Sequence, residues 1–398
     1  MAGWVRGHVL TPRPQGGVHF ERDSLLGWDD DGRLIAQQGS GGDGPLLVPG
    51  FVDAHVHLPQ YRVRGRFSEA LLPWLRNHIW PEEERFAEFA YRQAVTAEFR
   101  DGLIAAGTTS AMVYGSPEGD SAHAVLRDLS PLCIKGGDVL MDRNSPDALL
   151  RDSGESLAMA GEHLEEYGER YAITPRFAPT CTEDLLAGCG ALLRSGVARL
   201  QTHLAENLDE VAWVAELHPD DRSYLAVYDR LGLLGPRSIF GHCIHLDDAD
   251  LTRMAQTGSW IAHCPTSNIA LGSGRMPLER VVRAGVRWAL ATDVGAGPDL
   301  SMLDVMRAFC EVHAGKADAG VGLALAGATW FGAEAIGESR TRGALVPGLQ
   351  ADVVALTIPG GLRRGEHGLD ALARILAEFE GRYDEAVQQV YVGGITVK

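Results

Sequence analysis

The sequence predicts an α/β protein, a (β/α)8 TIM-type barrel with a small β-sandwich domain formed by the N- and C-terminal segments. Three observations lead there. Apolar, β-branched runs recur about eight times over roughly 250 to 280 residues, with helix-like segments between most of them, which is the rhythm of that barrel. The runs are continuously apolar, as parallel strands buried on both faces must be. Both ends of the chain instead carry short strand-like pieces with glycine turns.

The runs are FVDAHVHL (51–58), TTSAMVYG (108–115), CIKGGDVLMD (133–142), YAITPRFAP (171–179), LQTHLAE (200–206), SIFGHCIH (238–245), SWIAHCP (259–265) and VRWALATDVG (286–295). Between them lie stretches such as FAEFAYRQAVTAEFRDGLIAAG and PLERVVRAG, whose apolar residues repeat at helical spacing and which close on glycine. The barrel is therefore expected over 51–341. Residues 1–50 and 342–398 contain GPLLVPG, ADVVALTIP and AVQQVYVGGITV, expected to pair as the small β domain with little helical content, and GSGGDG (39–44) reads as a turn.

A chain of 398 residues, 45% hydrophobic and 22% charged, is globular. Its net charge of -17 is carried with scattered lysines and arginines, so nucleic acid and acidic membrane surfaces are excluded as partners and a small, neutral molecule fits better. MAGWVRGHVLTPRPQ has no uninterrupted apolar core, and no later stretch stays apolar for about 18 residues, so a cytoplasmic setting is expected. Six dispersed cysteines without a CxxC pair suggest neither a disulfide framework nor a thiolate zinc knuckle. His163-Leu164-Glu165 spells half of a zinc nucleobase deaminase signature, but the PCxxC half is absent, and an exposed helix face accounts for His163.

The chemistry gathers at strand ends. Residues two apart on a strand project to the same side, so His55 and His57 point together, at the C-terminal mouth where barrel active sites sit. His203, His242 and Asp293 end the fifth, sixth and eighth runs. Imidazoles with one carboxylate and no thiolate suit one divalent ion, Zn2+ first and Fe2+ next, with a position open for water. Glu206, three residues beyond His203, is placed to carry a proton to a ring nitrogen or a leaving amine. His245 and His263 would crowd the ion and read as outer or packing groups. Lys135, the lysine a two-metal site would need, sits at the start of its run, facing the wrong end of the barrel.

On PGFVDAHVH, the strand-end His203 and His242, ATDVGAG and GALVPGLQADVV, nearly the whole chain resembles the amidohydrolase superfamily. On HVHLPQY, LLPWLRNHIWPEEERF, TPRFAPTCTE, HLAENLDEV, HCPTSNIALGSG and TDVGAGPDLSML it resembles, within that superfamily, the guanine deaminases. The resemblance implies metal ligation by His55, His57, His203 and Asp293, with His242 either a ligand or a hydrogen-bond partner of the metal's water. It implies catalysis by Glu206, Asp293 and His242, and purine binding by Gln60, Arg176 and Phe177. An arginine fork, a side-chain amide and a phenyl face suit guanine. The implied reaction is guanine to xanthine and ammonia, a step of purine catabolism, by a homodimer. Deaminases or chlorohydrolases acting on 8-oxoguanine, an adenosine-type thioether or a triazine share the metal motifs, and a non-catalytic barrel is the distant alternative. The aromatic, proline-bounded segment Trp74 to Trp80 reads as a lid or as packing.

Overall fold

The computed structural model describes residues 2–39, 44–67, 71–118 and 120–398, and the turn expected at 39–44 falls mostly outside them. Both ends of the chain enter one sheet. From the N-terminal side come β1 (Gly3–Pro12), β2 (Val18–Trp28), β3 (Leu34–Gly39) and β4 (Leu46–Pro49). The eight expected runs follow as β5 (Phe51–His57), β6 (Thr108–Tyr114), β7 (Cys133–Gly137) with β8 (Val139–Leu140), β9 (Ala172–Pro175), β10 (Arg199–Leu204), β11 (Ser238–His242), β12 (Trp260–His263) and β13 (Arg287–Leu290). The chain ends with β14 (Val353–Leu356), β15 (Val387–Val392) and β16 (Ile395–Thr396).

The terminal strands are ordered β16-β15-β14-β4-β1-β2-β3, so the expected β-sandwich takes the form of one continuous seven-stranded sheet. Its centre is the antiparallel pairing of β4 with β14, Leu46 opposite Leu356 and Pro49 opposite Val353. The C-terminal segment is less purely β than expected. GLDALARILAE forms a helix, Gly368–Glu378, with Ala371, Leu372, Ile375 and Leu376 buried along one face and His367 capping its start. That spacing of three and four is an amphipathic helix, hidden among the neighbouring glycines.

The remaining strands are parallel and follow sequence order in space. They form a three-stranded sheet, β5-β6-β7, and a six-stranded sheet, β13-β12-β11-β10-β9-β8. At one seam Gly136 bridges to Tyr171 in parallel. At the other, the amide of Asp293 donates to the His55 carbonyl at 2.9 Å and that of Thr292 to Asp53 Oδ1 at 3.0 Å. These contacts bring the sheet edges together at both seams, in the strand order of a (β/α)8 barrel. Helices cover the strands, as on Phe89–Ala105, where Tyr91, Val95, Phe99 and Leu103 are buried four apart and join the main core with Phe51 and Val113.

The run 133–142 breaks at Asp138, whose Oδ1 accepts from the Ala122 amide at 2.8 Å and whose Oδ2 meets His163 Nδ1 at 2.7 Å. His163 is therefore buried against a carboxylate, not on an exposed helix face. A polar helix with one buried imidazole needs a partner that sequence spacing does not reveal. Lys135 pairs with Glu338 at 2.9 Å, away from the site residues described below. No helix among the described residues is long and apolar enough to cross a membrane.

Strands β6 and β7 approach closely at Gly136, where a Cβ would lie 2.1 Å from the Val113 carbonyl oxygen. Replacing Gly136 by Ala must displace backbone, and is expected to cost about 1–3 kcal/mol of stability, seen as a lower urea midpoint. An unchanged midpoint would show that the strands separate there freely.

Candidate metal centre and active site

His55 and His57 alternate with Val56 on β5, so one strand delivers both rings to the same side. Their Nε2 atoms lie 3.2 Å apart. His57 Nε2 is 3.3 Å from His203 Nε2, and Asp293 Oδ1 is 3.2 Å from His55 Nε2 and 3.3 Å from His57 Nε2. All four groups offer ligand atoms within 4.8 Å of one another.

This spacing fits a divalent cation. Ligand atoms placed tetrahedrally at about 2.0–2.1 Å from an ion lie about 3.3–3.4 Å from each other. Hydrogen bonding does not account for the array, because a ring nitrogen carries at most one proton while His57 Nε2 faces three neighbours. The His203 tautomer agrees. Its Nδ1 lies 2.7 Å from the Arg176 carbonyl, which only accepts, so the proton sits on Nδ1 and Nε2 presents a lone pair. Burial, opposed in part by the bond to Asp293, pushes His57 down to about 3, and burial holds His203 well below the usual imidazole range. Both rings are thus neutral, the state that ligates.

The strand ends need unusual backbone. A Cβ on Gly241 would stand 3.0 Å from His55 Cε1, so β11 presents its bare face to the cluster at that residue. Regular alternation would then aim His242 away. Instead His242 has φ +66° and Asp293 φ +51°, left-handed values that turn each side chain back over the site. His242 Nδ1 meets Asn268 Oδ1 at 2.9 Å, while its buried Nε2 has no hydrogen-bond partner among the described residues and lies 3.4 Å from Glu206 Oε2 and 3.8 Å from Asp293 Oδ2. An orphaned imidazole nitrogen between two carboxylates suits a group that meets a water or a substrate.

Glu206 precedes the helix Leu208–Leu217 and is buried, with Oε1 accepting from Ser273 Oγ at 3.0 Å. Burial, reinforced by the negative charge of Asp293, pushes its carboxyl up to about 8. One turn later Glu210 accepts from the amides of Glu206 and Asn207 at 2.8 and 3.2 Å, which fixes the loop that carries Glu206. His57, Gln60, Leu71, Trp74, Leu75, Arg176, Phe177, His203, Glu206, Glu210, His242, Asp293 and Ala296 line one cavity, in which apolar walls surround a few convergent polar groups. Every site residue expected from the sequence except His55 lines it, and His55 joins through the cluster. His245 Nε2 meets the Ser273 carbonyl at 3.0 Å and His263 Nε2 meets His313 Nε2 at 2.9 Å, outside the four-residue cluster.

Several further groups shape the site without a mark in the local sequence. Asp53 takes the amides of His55 and Thr292 at 3.2 and 3.0 Å, locking β5 to the segment that carries Asp293. Glu83 is the counterion of Arg176, whose Nη1 lies 2.8 and 2.6 Å from its two oxygens. The segment 71–84 carries Glu83 there through a helical turn at Leu71–Trp74, a π-helical turn at Leu75–Ile79 and the turn Trp80–Glu84. A run of three glutamates gives no sign which one turns inward. Only an arginine buried in an apolar strand signals that some partner exists.

Residues 46–397 match the family model described as Amidohydrolase family. The chain is 35% identical over 364 residues to the guanine deaminase of Escherichia coli K12, covering 88% of this chain and 82% of that one. It is 38% identical over 371 residues to a probable guanine deaminase of Deinococcus radiodurans, covering 88% and 83%. It superposes on the guanine deaminase of C. acetobutylicum with bound guanine in the active site with a TM-score of 0.92 and 27% identity, each chain covered completely.

Removing one of the four candidate ligands should expose the cluster's purpose. His203→Ala is expected to lower bound divalent metal well below that of the parent protein by elemental analysis. Chelation of the parent should lower its thermal midpoint, and re-addition of metal should restore it, because an ion that binds only the folded chain stabilises it. Equal metal content in the variant would remove His203 from the ligand set.

Proposed function

The chain belongs to the amidohydrolase family, and on that premise we propose that it catalyses the hydrolytic deamination of guanine to xanthine and ammonia. As a family member it is a hydrolase of C–N bonds in cyclic amidines that uses a divalent metal. The guanine assignment rests on the relatives above and on one observation. A cluster of three imidazoles and a carboxylate opens into the same cavity as Gln60, Arg176 and Phe177.

His55, His57, His203 and Asp293 would hold the ion, and the donor set of imidazole nitrogen and carboxylate oxygen suits zinc first and iron next. When bound, the ion supplies acidity to a water molecule at neutral pH. Phe177 covers the purine face, and Arg176 and Gln60 grip its polar edge, placing C2 beside Asp293 and Glu206. Asp293 accepts one proton of the attacking water through its free oxygen as the new C2–O bond forms. Glu206 delivers a proton to the adjacent ring nitrogen, so that the electron pair of the C=N bond has a place to go. His242 Nε2 stabilises the charge that gathers on the new oxygen. The C2–N bond to the exocyclic amine then breaks, a proton passes to the departing nitrogen, and ammonia leaves. Water is consumed, the hydroxyl proton on the new oxygen returns to Glu206 as the C2=O bond forms, and the ring nitrogen keeps its added proton in the xanthine that remains. A homodimer in the cytoplasm belongs to the same reading and rests on the likeness to guanine deaminases alone.

Ammonia release from guanine, 8-oxoguanine, adenine and a triazine by metal-assayed protein tests the assignment. Guanine should be preferred, and a preference for another substrate of the panel would overturn it. Glu206→Gln should lower kcat by about 10²–10⁴ with metal content unchanged, since a general acid–base is removed and no ligand is. Retained turnover would take Glu206 out of the mechanism.

A further inference from the structure

Gln60 and Arg176 do not face the cavity as independent groups. Glu83, buried, accepts from Gln60 Nε2 at 2.9 Å and from Arg176 Nη1 through both of its oxygens. A carboxylate paired with a guanidinium only accepts, so the end of the Gln60 amide that meets it must be the NH2 group. The other end lies against Gly295, at φ +118°, where a Cβ would come within 2.1 Å of Gln60 Oε1. The amide is thereby held one way round. Arg176 beside it can only donate. A wall of fixed polarity cannot adapt to a ligand whose donors and acceptors are exchanged.

We propose that Glu83 is a positioning residue that sets substrate specificity: by fixing the Gln60 amide and the Arg176 guanidinium, it makes the site accept a 6-oxopurine and reject a 6-aminopurine. The inference rests on the guanine reading above and deepens it. In guanine the 6-position is an acceptor and N1 carries a proton. In 2,6-diaminopurine the 6-position donates and N1 accepts, while the ring and the 2-amino group to be released are unchanged. Guanine places its O6 against the arginine donors, whereas the diamino compound sets N–H against N–H and leaves buried donors unpaired.

The test compares kcat/KM and equilibrium binding for guanine and 2,6-diaminopurine in the metal-loaded parent, Glu83→Gln and Glu83→Asp. Glutamine at 83 can donate as well as accept, so it frees the Gln60 amide to turn. The parent should prefer guanine by about 10²-fold or more, as sites built around a hydrogen-bonding edge do. Glu83→Gln should shrink the preference at least tenfold, and Glu83→Asp, which keeps the acceptor, should retain it even if both activities fall. Loss of both activities in equal proportion in Glu83→Gln, the ratio unmoved, would mean that Glu83 is only structural and would overturn the proposal while leaving the guanine reading intact. A parent that turns over neither compound but binds the oxopurine preferentially, with Glu83→Gln erasing that preference, would sink the guanine reading and keep this one. A parent that neither binds nor deaminates either compound would overturn both.

Discussion

The governing constraint is the concentration of lone pairs and charge in one small cluster. His55, His57 and Asp293 are buried and His203 is partly buried, with neighbouring ligand atoms about 3.2–3.3 Å apart, a spacing that repels unless a cation sits between them. The surroundings are organised to hold that cluster still. Asp53 ties β5 to the segment bearing Asp293, Gly241 keeps β11 clear of the His55 ring, and left-handed backbone at His242 and Asp293 bends two strand ends inward. Residues forced to positive φ cost of order 1–3 kcal/mol each, and they persist where the rest of the fold over-determines them.

Arg176 links this cluster to Glu83. Its carbonyl accepts from the amide and Nδ1 of His203, while its guanidinium pairs with the Glu83 carboxylate. One residue thus orients the His203 ring with its main chain and pairs with Glu83 through its side chain. A displaced arginine would disturb both contacts at once.

Much of this was legible in the amino-acid sequence because it follows from periodicity. Eight apolar runs gave the strand order, and period-two spacing placed His55 beside His57. The positions of His203, His242 and Asp293 at run ends pointed to one mouth. What was hidden depended on contacts between distant segments. Nothing local marks Glu83 among its neighbours Glu82 and Glu84, since inward direction there comes from a π-helical turn. His163 looked exposed because Asp138, its partner, lies in another element. The helix Gly368–Glu378 is masked in the sequence by flanking glycines that resemble turns. His242 reached the site against the alternation rule, through a backbone reversal that spacing cannot anticipate.

The seven-stranded sheet has a bearing on how the polypeptide is made. Strand β4 runs through Pro49 and Gly50 straight into β5, the strand that supplies His55 and His57, and the Gly50 amide donates to the Asp352 carbonyl at 2.9 Å. The segment that flanks the entry to the first barrel strand is therefore made about 300 residues after it. Until β14 has been translated, one edge of β4 waits without its neighbour, and pairing so remote in sequence is slow to form. A nascent chain stalled before that point carries an unfinished sheet beside the strand that bears His55 and His57.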